Sequence, residues 1–332
     1  METRVFGRTG TRVSILGFGC GAVGGLMVRG EPAEQERAVA MALEAGVNYF
    51  DTAAQYGNGK SEENLGRVLA KLKPADAIVG TKVGLPSSDF GGIADAVGRS
   101  LEGSLRRLGL ERVDIFYLHN PITEAGGGDG LSVRQVLDEV VPAFDLLRRQ
   151  GKARYLGFSG LGDSTALAQV IEARVFDAAQ IVYNMLNPSA AIAVPGDYPG
   201  QDYRRLFDHT QAAGVGVVGI RVLAGGALSG SAERHPNAGP APMPIGSAMS
   251  YELDLVRARR LLPLLQDGIA LSLTEAAIRF AISHKAMGTI LVGMATPQQF
   301  EQALAAVRKG PLPQAALDRL GALQQGFAAE AR

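Results

Sequence analysis

The feature that most constrains the fold is the alternation of short apolar segments with longer amphipathic ones. Eight of the short segments are rich in β-branched residues and are predicted to be strands. They are VSILGFG (13–19), VNYFD (47–51), AIVGTK (77–82), VDIFYLH (113–119), ARYLGFS (153–159), AAQIVY (178–183), VGVVGI (215–220) and TILVG (289–293). Strands that are apolar along almost their whole length are typical of a parallel sheet covered on both faces. We therefore expect an α/β fold.

Helical patterns separate these strands. PAEQERAVAMALEA begins with Pro32, which suits a first helical turn. SEENLGRVLAKL begins with Ser61, which suits an N-cap. Eight strand–helix units predict a closed (β/α)8 TIM barrel, because parallel sheets of eight strands commonly close in this way. The alternative is an open doubly wound sheet, which would leave two edges to protect.

Two segments add to this barrel. RVFGRTGTRVS, at the N-terminus, predicts a β-hairpin that turns at GRTG and covers the bottom of the barrel. Residues 222–250 are rich in Gly, Pro and Ser, and they predict a long loop after strand 7, over the top face. An interdomain linker is the alternative, but too little chain follows for a second core. We expect residues 1–332 to form one domain.

Composition and charge exclude several function classes. The chain has 33 basic and 33 acidic residues, and this neutral balance argues against a nucleic-acid partner. Its single cysteine, Cys20, excludes an internal disulfide framework and fits a reducing compartment. No apolar run has the length of a signal peptide or a membrane span, so we expect a cytoplasmic protein. The four histidines are scattered and show no metal-binding spacing.

Polar side chains stand at the ends of three neighbouring predicted strands. Asp51, Lys82 and His119 end strands two, three and four, and Tyr56 follows the second strand. Each residue by itself has an ordinary structural explanation, such as a turn cap or a packed aromatic ring. In a barrel, however, the C-terminal ends of the strands open into one shared bowl. The four together therefore predict a site there.

These residue types suit proton transfer at the oxygen of a carbonyl or alcohol. A tyrosine hydroxyl has a pKa of about 10, and the ammonium of Lys82 would lower that pKa. Asp51 would hold Lys82 charged, and His119 would donate a hydrogen bond to a carbonyl oxygen. Reduction of that carbonyl also requires a hydride, which no amino-acid side chain supplies. A nicotinamide cofactor is therefore implied.

The motifs that carry these residues resemble the aldo-keto reductase family. They are FDTAAQYGNGKSEENLG, IVGTKVG and GLERVDIFYLHNP, followed in the family's order by GKARYLGFSG, AQIVYNMLN, GALSG and AIRFAISHKAMGTILVGMATPQQFEQAL. The resemblance covers nearly the whole chain. It implies a (β/α)8 barrel with Asp51, Tyr56, Lys82 and His119 as a catalytic tetrad, in which Tyr56 donates or accepts the proton.

The same resemblance implies a set of cofactor contacts. They are Gly21, Asp51, Ser159, Gln180, Ile220, Arg221, Leu223, Gly225, Gly293, Met294, Gln299 and Gln302. Ser159 and Gln180 match residues that hydrogen-bond the nicotinamide carboxamide, although Gly160 stands where the family often has Asn. Ile220 and Arg221 stand where many members have a tyrosine that stacks on the nicotinamide. RVLAGGALSG matches the loop over the pyrophosphate, where backbone N–H groups approach phosphate oxygens.

The segment VGMATPQQFEQA (292–303) bears on the choice between the two nicotinamide cofactors. Members that use NADPH commonly place Lys or Arg here, whereas Gly293, Met294 and Gln299 are uncharged. Each missing charge-assisted hydrogen bond to the 2′-phosphate is worth about 1.5–3 kcal/mol. NAD(H) is therefore favoured. NADP(H) is possible if Arg257 or another residue of the long loop supplies the charge.

GCGAVG (19–24) literally matches a dinucleotide-binding fingerprint. No helical pattern begins there before Pro32, so we interpret the segment as a loop at the barrel mouth, beside the cofactor.

The predicted function is hydride transfer between NAD(P)(H) and an aldehyde, a ketone or the carbinol of a sugar or polyol. With NAD, the expected direction is oxidation of a sugar or polyol, and the expected substrate wall comprises residues 222–250 and NPITEAGGGDGLS. One rival is a Schiff-base lyase or aldolase that uses Lys82, although Asp51 would raise the pKa of that lysine. The other is a cofactor-sensing binding protein with little catalysis. The oligomeric state is left open.

Overall fold

Eight parallel strands close into a barrel in the computed structural model, which describes residues 1–330 and side chains to Phe327. The strands of the described chain are β1 (Thr3–Val5), β2 (Arg12–Ser14), β3 (Leu16–Gly19), β4 (Tyr49–Asp51), β5 (Ile78–Val83), β6 (Val113–Leu118), β7 (Ile122–Thr123), β8 (Leu131–Ser132), β9 (Ala153–Ser159), β10 (Ala178–Val182), β11 (Gly216–Ile220) and β12 (Met287–Gly293). The barrel order is β3-β4-β5-β6-β9-β10-β11-β12, and β12 pairs with β3 to close it. The predicted TIM barrel is confirmed, and the open sheet is excluded.

Helices surround this barrel. They are α1 (Leu26–Arg29), α2 (Pro32–Glu44), α3 (Lys60–Leu72), α4 (Ile93–Leu108), α5 (Val133–Gln135), α6 (Val141–Arg149), α7 (Ser164–Glu172), α8 (Leu206–Ala213), α9 (Tyr251–Arg259), α10 (Pro263–Gln266), α11 (Leu273–Ser283), α12 (Pro297–Arg308) and α13 (Gln314–Gln324). A π-helical turn, Val136–Val140, joins α5 to α6. None of the described helices has the length and apolar character needed to cross a bilayer.

The predicted strand boundaries hold closely except in the first strand. Residues 13–14 of that run belong to the N-terminal hairpin, and only Leu16–Gly19 enter the barrel. Side chains interrupt the strand here, because the Ser14 hydroxyl donates to the carbonyl of Leu16 at 2.7 Å. The Ser14 backbone N–H donates to the side-chain oxygen of Asn48 at 2.8 Å. Hydrogen-bond partners from side chains, which strand periodicity does not report, therefore divide one apolar run between two sheets.

The helix-start predictions had mixed outcomes. Pro32 occupies the first turn of α2 as predicted. Ser61 is not an N-cap: α3 begins at Lys60 after Gly59, and the Ser61 hydroxyl instead donates to the carbonyl of Cys20 at 2.9 Å. The one-turn helix α1 begins directly after GCGAVGG, earlier than the expected first helix. The closed barrel nevertheless excludes a dinucleotide-binding open sheet.

The N-terminal hairpin closes the bottom of the barrel, as predicted. β1 and β2 pair antiparallel, and Phe6 in their connection is 1% exposed. Its ring packs against the first residue of β11, Gly216, and against Gly288 of β12. A Cβ at either glycine would lie within 2.8 Å of the ring. The two strands therefore need glycine where Phe6 enters.

The predicted long loop follows β11. A 3-10 segment (Ala224–Ser229) comes first, and residues 230–250 contain no described helix or strand before α9. This loop lies across the mouth of the barrel. The backbone N–H of Gly239 donates to the carbonyl of Val23 at 3.2 Å, and the Asn237 side chain donates to the carbonyl of Ala295 at 3.0 Å. The loop is thus held on both sides of the opening between β3 and β12.

Candidate active site

The C-terminal ends of β4, β5 and β6 bring the four predicted tetrad residues together. Asp51 is the last residue of β4, Lys82 lies near the end of β5, and His119 directly follows β6. Tyr56 lies in the turn between β4 and α3. All four groups face the same bowl, since their strands are adjacent and parallel in the barrel.

Asp51 and Lys82 form a buried ion pair. Their side chains are 4% and 0% exposed, and Lys82 Nζ donates to Asp51 Oδ1. Lys82 Nζ also donates to the carbonyl of Thr52 at 2.8 Å, and Gln180 Nε2 donates to Asp51 Oδ2 at 2.5 Å. Burial lowers the pKa of Lys82, but Asp51 and Tyr56 together raise that pKa by more. The lysine is therefore held as an ammonium.

Tyr56 packs over this ion pair. Lys82 Nζ lies 4.7 Å from the centroid of the Tyr56 ring, and the His119 ring meets that ring edge-on at 5.8 Å. Burial raises the pKa of Tyr56, and this effect exceeds the lowering by Lys82. The downward shift expected from the sequence is thus present only as the contribution of Lys82. In the protein without its ligands, the hydroxyl is protonated at neutral pH.

Gln55 holds His119. His119 Nδ1 lies 2.8 Å from Gln55 Oε1, and burial together with Lys82 lowers the pKa of His119 to about 3. The imidazole is therefore neutral. In a neutral imidazole one ring nitrogen donates and the other accepts, and the tautomer decides which of them faces Gln55. The donor role expected for His119 stays a prediction.

Two tyrosines inside the barrel lie beneath the site. The hydroxyls of Tyr49 and Tyr117 are 2.5 Å apart, and both side chains are fully buried. Burial is the first cause that raises both pKa values, so both hydroxyls stay protonated. The sequence analysis missed them. The signal was available, since residues two apart on a strand share a face: Tyr49 lies two before Asp51, and Tyr117 two before His119.

The end of β9 offers an unsatisfied polar group. Ser159 is 1% exposed, and its Oγ has no hydrogen-bond partner in the structure. It pairs in register with Gln180 on β10, so the two predicted carboxamide contacts are neighbours. A Cβ on Gly160 would lie 2.8 Å from the carbonyl of Gln180. The backbone therefore leaves no room for the asparagine that the family often has there.

A pocket of about 280 Å³ lies at the barrel mouth. Its lining includes seven of the predicted cofactor residues: Gly21, Arg221, Leu223, Gly225, Gly293, Gln299 and Gln302. Five predicted residues do not line it. The side chain of Met294 is 1% exposed and lies in the core, and Ile220 packs against the apolar interior of the barrel. The remaining predicted contacts, Asp51, Ser159 and Gln180, lie deeper, at the strand ends.

The long loop contributes charged residues to this pocket that the sequence analysis did not name. Glu233, Arg234 and His235 line it. Arg234 donates to the carbonyls of Gly225 at 2.9 Å, Gly239 at 2.8 Å and Val23 at 3.2 Å. The Arg234 side chain thus connects the loop to the segments that follow β3 and β11.

Arg257, the residue of this region named from the sequence, does not line the pocket. Its guanidinium donates to the carbonyl of Ser247 at 3.0 Å instead. The basic residues that the loop brings to the pocket are therefore Arg234 and His235. Among residues 1–327, no group of three or more His, Cys, Asp or Glu side chains is placed to hold a metal ion.

Comparisons with known proteins agree with this geometry. The model of the Aldo/keto reductase family matches residues 15–325. An L-galactose dehydrogenase from Arabidopsis thaliana is 30% identical over 92% of this chain and 88% of its own length. A pyridoxal 4-dehydrogenase from Microbacterium luteolum is 25% identical over 91% of each chain. The solved holo structure of an aldo-keto reductase from Bacillus halodurans superposes with a TM-score of 0.70, at 25% identity, covering 97% of this chain and 96% of that one.

Proposed function

The chain belongs to the aldo/keto reductase family, and from this premise we propose that it is a nicotinamide-dependent oxidoreductase. It moves a hydride between NAD(P)(H) and the carbon of a carbonyl or carbinol. The observation that carries the proposal is the buried Asp51–Lys82 pair beneath Tyr56. Such a pair places a fixed positive charge next to a hydroxyl that can exchange a proton with a substrate oxygen.

Each tetrad residue has a distinct role in this proposal. Tyr56 exchanges the proton with the substrate oxygen, and the ammonium of Lys82 stabilises its phenolate. In an oxidation Tyr56 first releases its proton to solvent and the phenolate then accepts the hydroxyl proton of the alcohol; in a reduction Tyr56 gives its proton to the carbonyl oxygen. Asp51 keeps Lys82 charged and oriented, and Gln180 fixes the second oxygen of Asp51. The cofactor, when bound, supplies or accepts the hydride.

The similar proteins favour an alcohol as the substrate. His119 packs edge-on against Tyr56, and its imidazole is neutral. It is proposed to orient the substrate oxygen that exchanges its proton with Tyr56. Two of the similar proteins are named as dehydrogenases, one of L-galactose and one of pyridoxal. We therefore propose oxidation of a sugar or polyol hydroxyl as the direction of the reaction.

The cofactor is proposed to lie in the pocket at the barrel mouth, with its carboxamide at Ser159. The unpartnered Oγ of Ser159 fits a group that brings its own donors and acceptors. Gly293, Gln299 and Gln302 offer no charge to a 2′-phosphate, which favours NAD(H). Arg234 is a cation in the same pocket, and it is the route by which NADP(H) would be accepted.

The lyase rival is less well supported. A Schiff-base lysine must lose its proton and reach the substrate. Lys82 is 0% exposed, its pKa is raised and it is paired with Asp51. We also propose that residues 1–332 act as one domain, because the apolar core runs without interruption from Ile15 to Phe327.

The test is a paired titration with NADH and NADPH, followed by the fluorescence of the reduced cofactor. The chain has no tryptophan, so protein fluorescence would respond weakly. We expect NADH to bind at least about tenfold more tightly, which corresponds to one missing charged contact. A preference for NADPH of that size would instead assign the phosphate to Arg234.

Turnover is then measured with NAD⁺ and a panel of sugars and polyols that includes L-galactose. We expect Tyr56→Phe to bind NADH like the wild type and to lose about 10²–10⁴-fold in kcat, the usual size of general acid–base catalysis. Tight NADH binding without any turnover would favour the cofactor-sensing protein. An adduct on Lys82, trapped with borohydride, would favour the lyase.

A further inference from the structure

Arg221 is a cation of the barrel mouth that forms no ion pair within residues 1–327. It directly follows Ile220, the last residue of β11, and lines the pocket with Gly21 and Gly225. The side chain is half-buried. Nevertheless, its guanidinium makes no hydrogen bond or ion pair with any side chain or carbonyl of residues 1–327. Burial lowers the pKa of this guanidinium by more than the nearby Tyr56, Tyr203 and Asp254 raise it.

The backbone is strained in order to place this side chain. Arg221 has a φ of 56°, in the left-handed region that non-glycine residues seldom adopt. Two hydrogen bonds hold its carbonyl, from Asn184 Nδ2 at 2.9 Å and from the Ala224 N–H at 2.7 Å. Nη1 comes within 3.2 Å of the position that a Cβ on Gly225 would take. Strain of this kind is typical of functional sites.

Arg221 leaves the bowl with an excess positive charge. Lys82 is neutralised by Asp51, and His119 is neutral. The polar groups that face Arg221 are the hydroxyls of Tyr56 and Tyr203 and the carboxyl of Asp254 on α9. The Tyr203 hydroxyl is buried and has no hydrogen-bond partner.

Asp254 does not serve as a bonded partner of Arg221. Its Oδ2 accepts from Ser247 at 2.6 Å. Its Oδ1 is buried and has no hydrogen-bond partner. Burial raises the pKa of Asp254 to about 6, so this carboxyl gives only partial compensation as the pH falls toward that value. The guanidinium therefore remains available to an anion from outside the chain.

We propose that Arg221 binds an anionic group of the substrate, so that the preferred substrates are alcohols or carbonyl compounds that also carry a carboxylate or phosphate. This inference rests on the proposed function and adds a substrate class to it. Arginine presents two parallel N–H groups that match both oxygens of a carboxylate. Its place beside Tyr56 puts that anion close to the reacting oxygen. The pyrophosphate of the cofactor is the competing anion, since Gly225 is also close.

The test compares charged and neutral ligands by calorimetry on the NADH-loaded protein, in which the reduced cofactor cannot oxidise the probes. The probes are D-galacturonate against D-galactose, and benzoate against benzamide. We expect the wild type to bind the anion of each pair at least about tenfold more tightly. Arg221→Gln should lower the affinity for the anions by about 10–100-fold and the affinity for the neutral partners by less than about threefold. Arg221→Lys should keep part of the preference, because it keeps the charge but loses the planar fork.

Other outcomes overturn the proposal. If the wild type binds neither anion more tightly than its neutral partner, there is no anion site. If Arg221→Gln weakens NADH binding and lowers the affinity for the anion and for its neutral partner equally, Arg221 binds the pyrophosphate of the cofactor instead. If Arg221→Gln only destabilises the fold, and Asp254→Asn restores that stability in the double variant, Arg221 is a counter-ion. Binding is measured without turnover, so this test is independent of activity. A protein that prefers anions but oxidises no substrate would keep the anion site and would refute only the oxidoreductase assignment.

Discussion

Among single residues, Asp51 and Lys82 carry the largest electrostatic cost. Removal of an ion from water costs several kcal/mol even after relaxation, and both side chains are almost completely buried. The cost is offset because each charge is hydrogen-bonded as well as paired. Gln180 donates to Asp51, and Lys82 donates to the carbonyl of Thr52. A protein tolerates such a pair where a fixed charge is needed in a dry site.

We expect Lys82→Met to lower the free energy of unfolding by about 3–5 kcal/mol, because Asp51 would remain buried without its counter-ion. Adding Asp51→Asn should restore most of that stability, since the buried charge is then removed as well. Urea unfolding measures both variants. Neither should be active. A single Lys82→Met variant as stable as the wild type would contradict the buried-pair interpretation.

The depressed pKa of His119 couples the site to acid stability. Its value of about 3 lies below the 6.5 of an unfolded histidine. Below pH 6.5, His119 therefore binds a proton in the unfolded state but not in the folded state, and the free energy of unfolding falls as the pH drops toward 3. Between pH 7 and pH 5, we expect the free energy of unfolding of His119→Gln to fall by about 2 kcal/mol less than that of the wild type. Chemical unfolding at both pH values measures the difference, and equal losses would place the pKa of His119 near its ordinary value.

Among the elements, several barrel strands carry polar candidate residues at their C-terminal ends while the rest of each strand packs in the core. β9 shows this division: Leu156 and Phe158 are fully buried in the core, and Ser159 at its end has an unpartnered hydroxyl. The next residue, Gly160, lies so close to the carbonyl of Gln180 that a side chain would displace the neighbouring strand. The strand end is thus shaped for a ligand rather than for its own stability.

We expect Ser159→Ala to weaken NADH binding about three- to tenfold, the equivalent of one neutral hydrogen bond. The unfolding free energy should stay equal or rise slightly, because an unsatisfied buried hydroxyl is removed. Fluorescence titration and urea unfolding provide the two readouts. A marked loss of stability without a change in NADH affinity would show that the hydroxyl has a structural partner instead.

Over the whole molecule, the two ends of the barrel are closed differently. A hairpin closes the bottom through Phe6, which packs against Gly216, Gly288 and Tyr49. At the top, the long loop crosses the mouth of the barrel, and Arg234 and Asn237 attach it through hydrogen bonds to backbone carbonyls. Apolar packing therefore closes the bottom, whereas polar contacts hold the loop over the top, where local opening costs less free energy.

We expect Phe6→Ala to destabilise the protein by about 3–5 kcal/mol, the usual cost of deleting a large buried aromatic ring. The catalytic constants should change little at temperatures where the variant is folded, because the ring lies at the opposite end from Tyr56. Thermal unfolding and kinetics at low temperature measure the two effects. Val5→Ala on the same hairpin is the matched control, since Val5 is 54% exposed. Equal effects of the two changes would show that Phe6 is not a plug.

The sequence by itself determined the barrel and the meeting of Asp51, Tyr56, Lys82 and His119. Both follow from local periodicity: apolar runs define parallel strands, and the ends of parallel strands must share one face. Helix starts were less certain, as Ser61 shows. Its hydroxyl has a distant partner, Cys20, and no local pattern reports such a contact.

Only the tertiary structure decided the contacts between distant segments. The Gln55 amide contacts Nδ1 of His119 from 64 positions away. Arg234, rather than Arg257, reaches the pocket at the barrel mouth, because the course of the loop over the barrel decides which cation faces inward. Arg221 forms no ion pair within residues 1–327, because the neighbouring elements place their carboxylates elsewhere; the carboxyl of Asp254, the one that faces it, accepts a hydrogen bond from Ser247. Sequence periodicity therefore specifies which face a residue occupies, whereas its protonation and its partners depend on packing between strands and loops that are far apart in the chain.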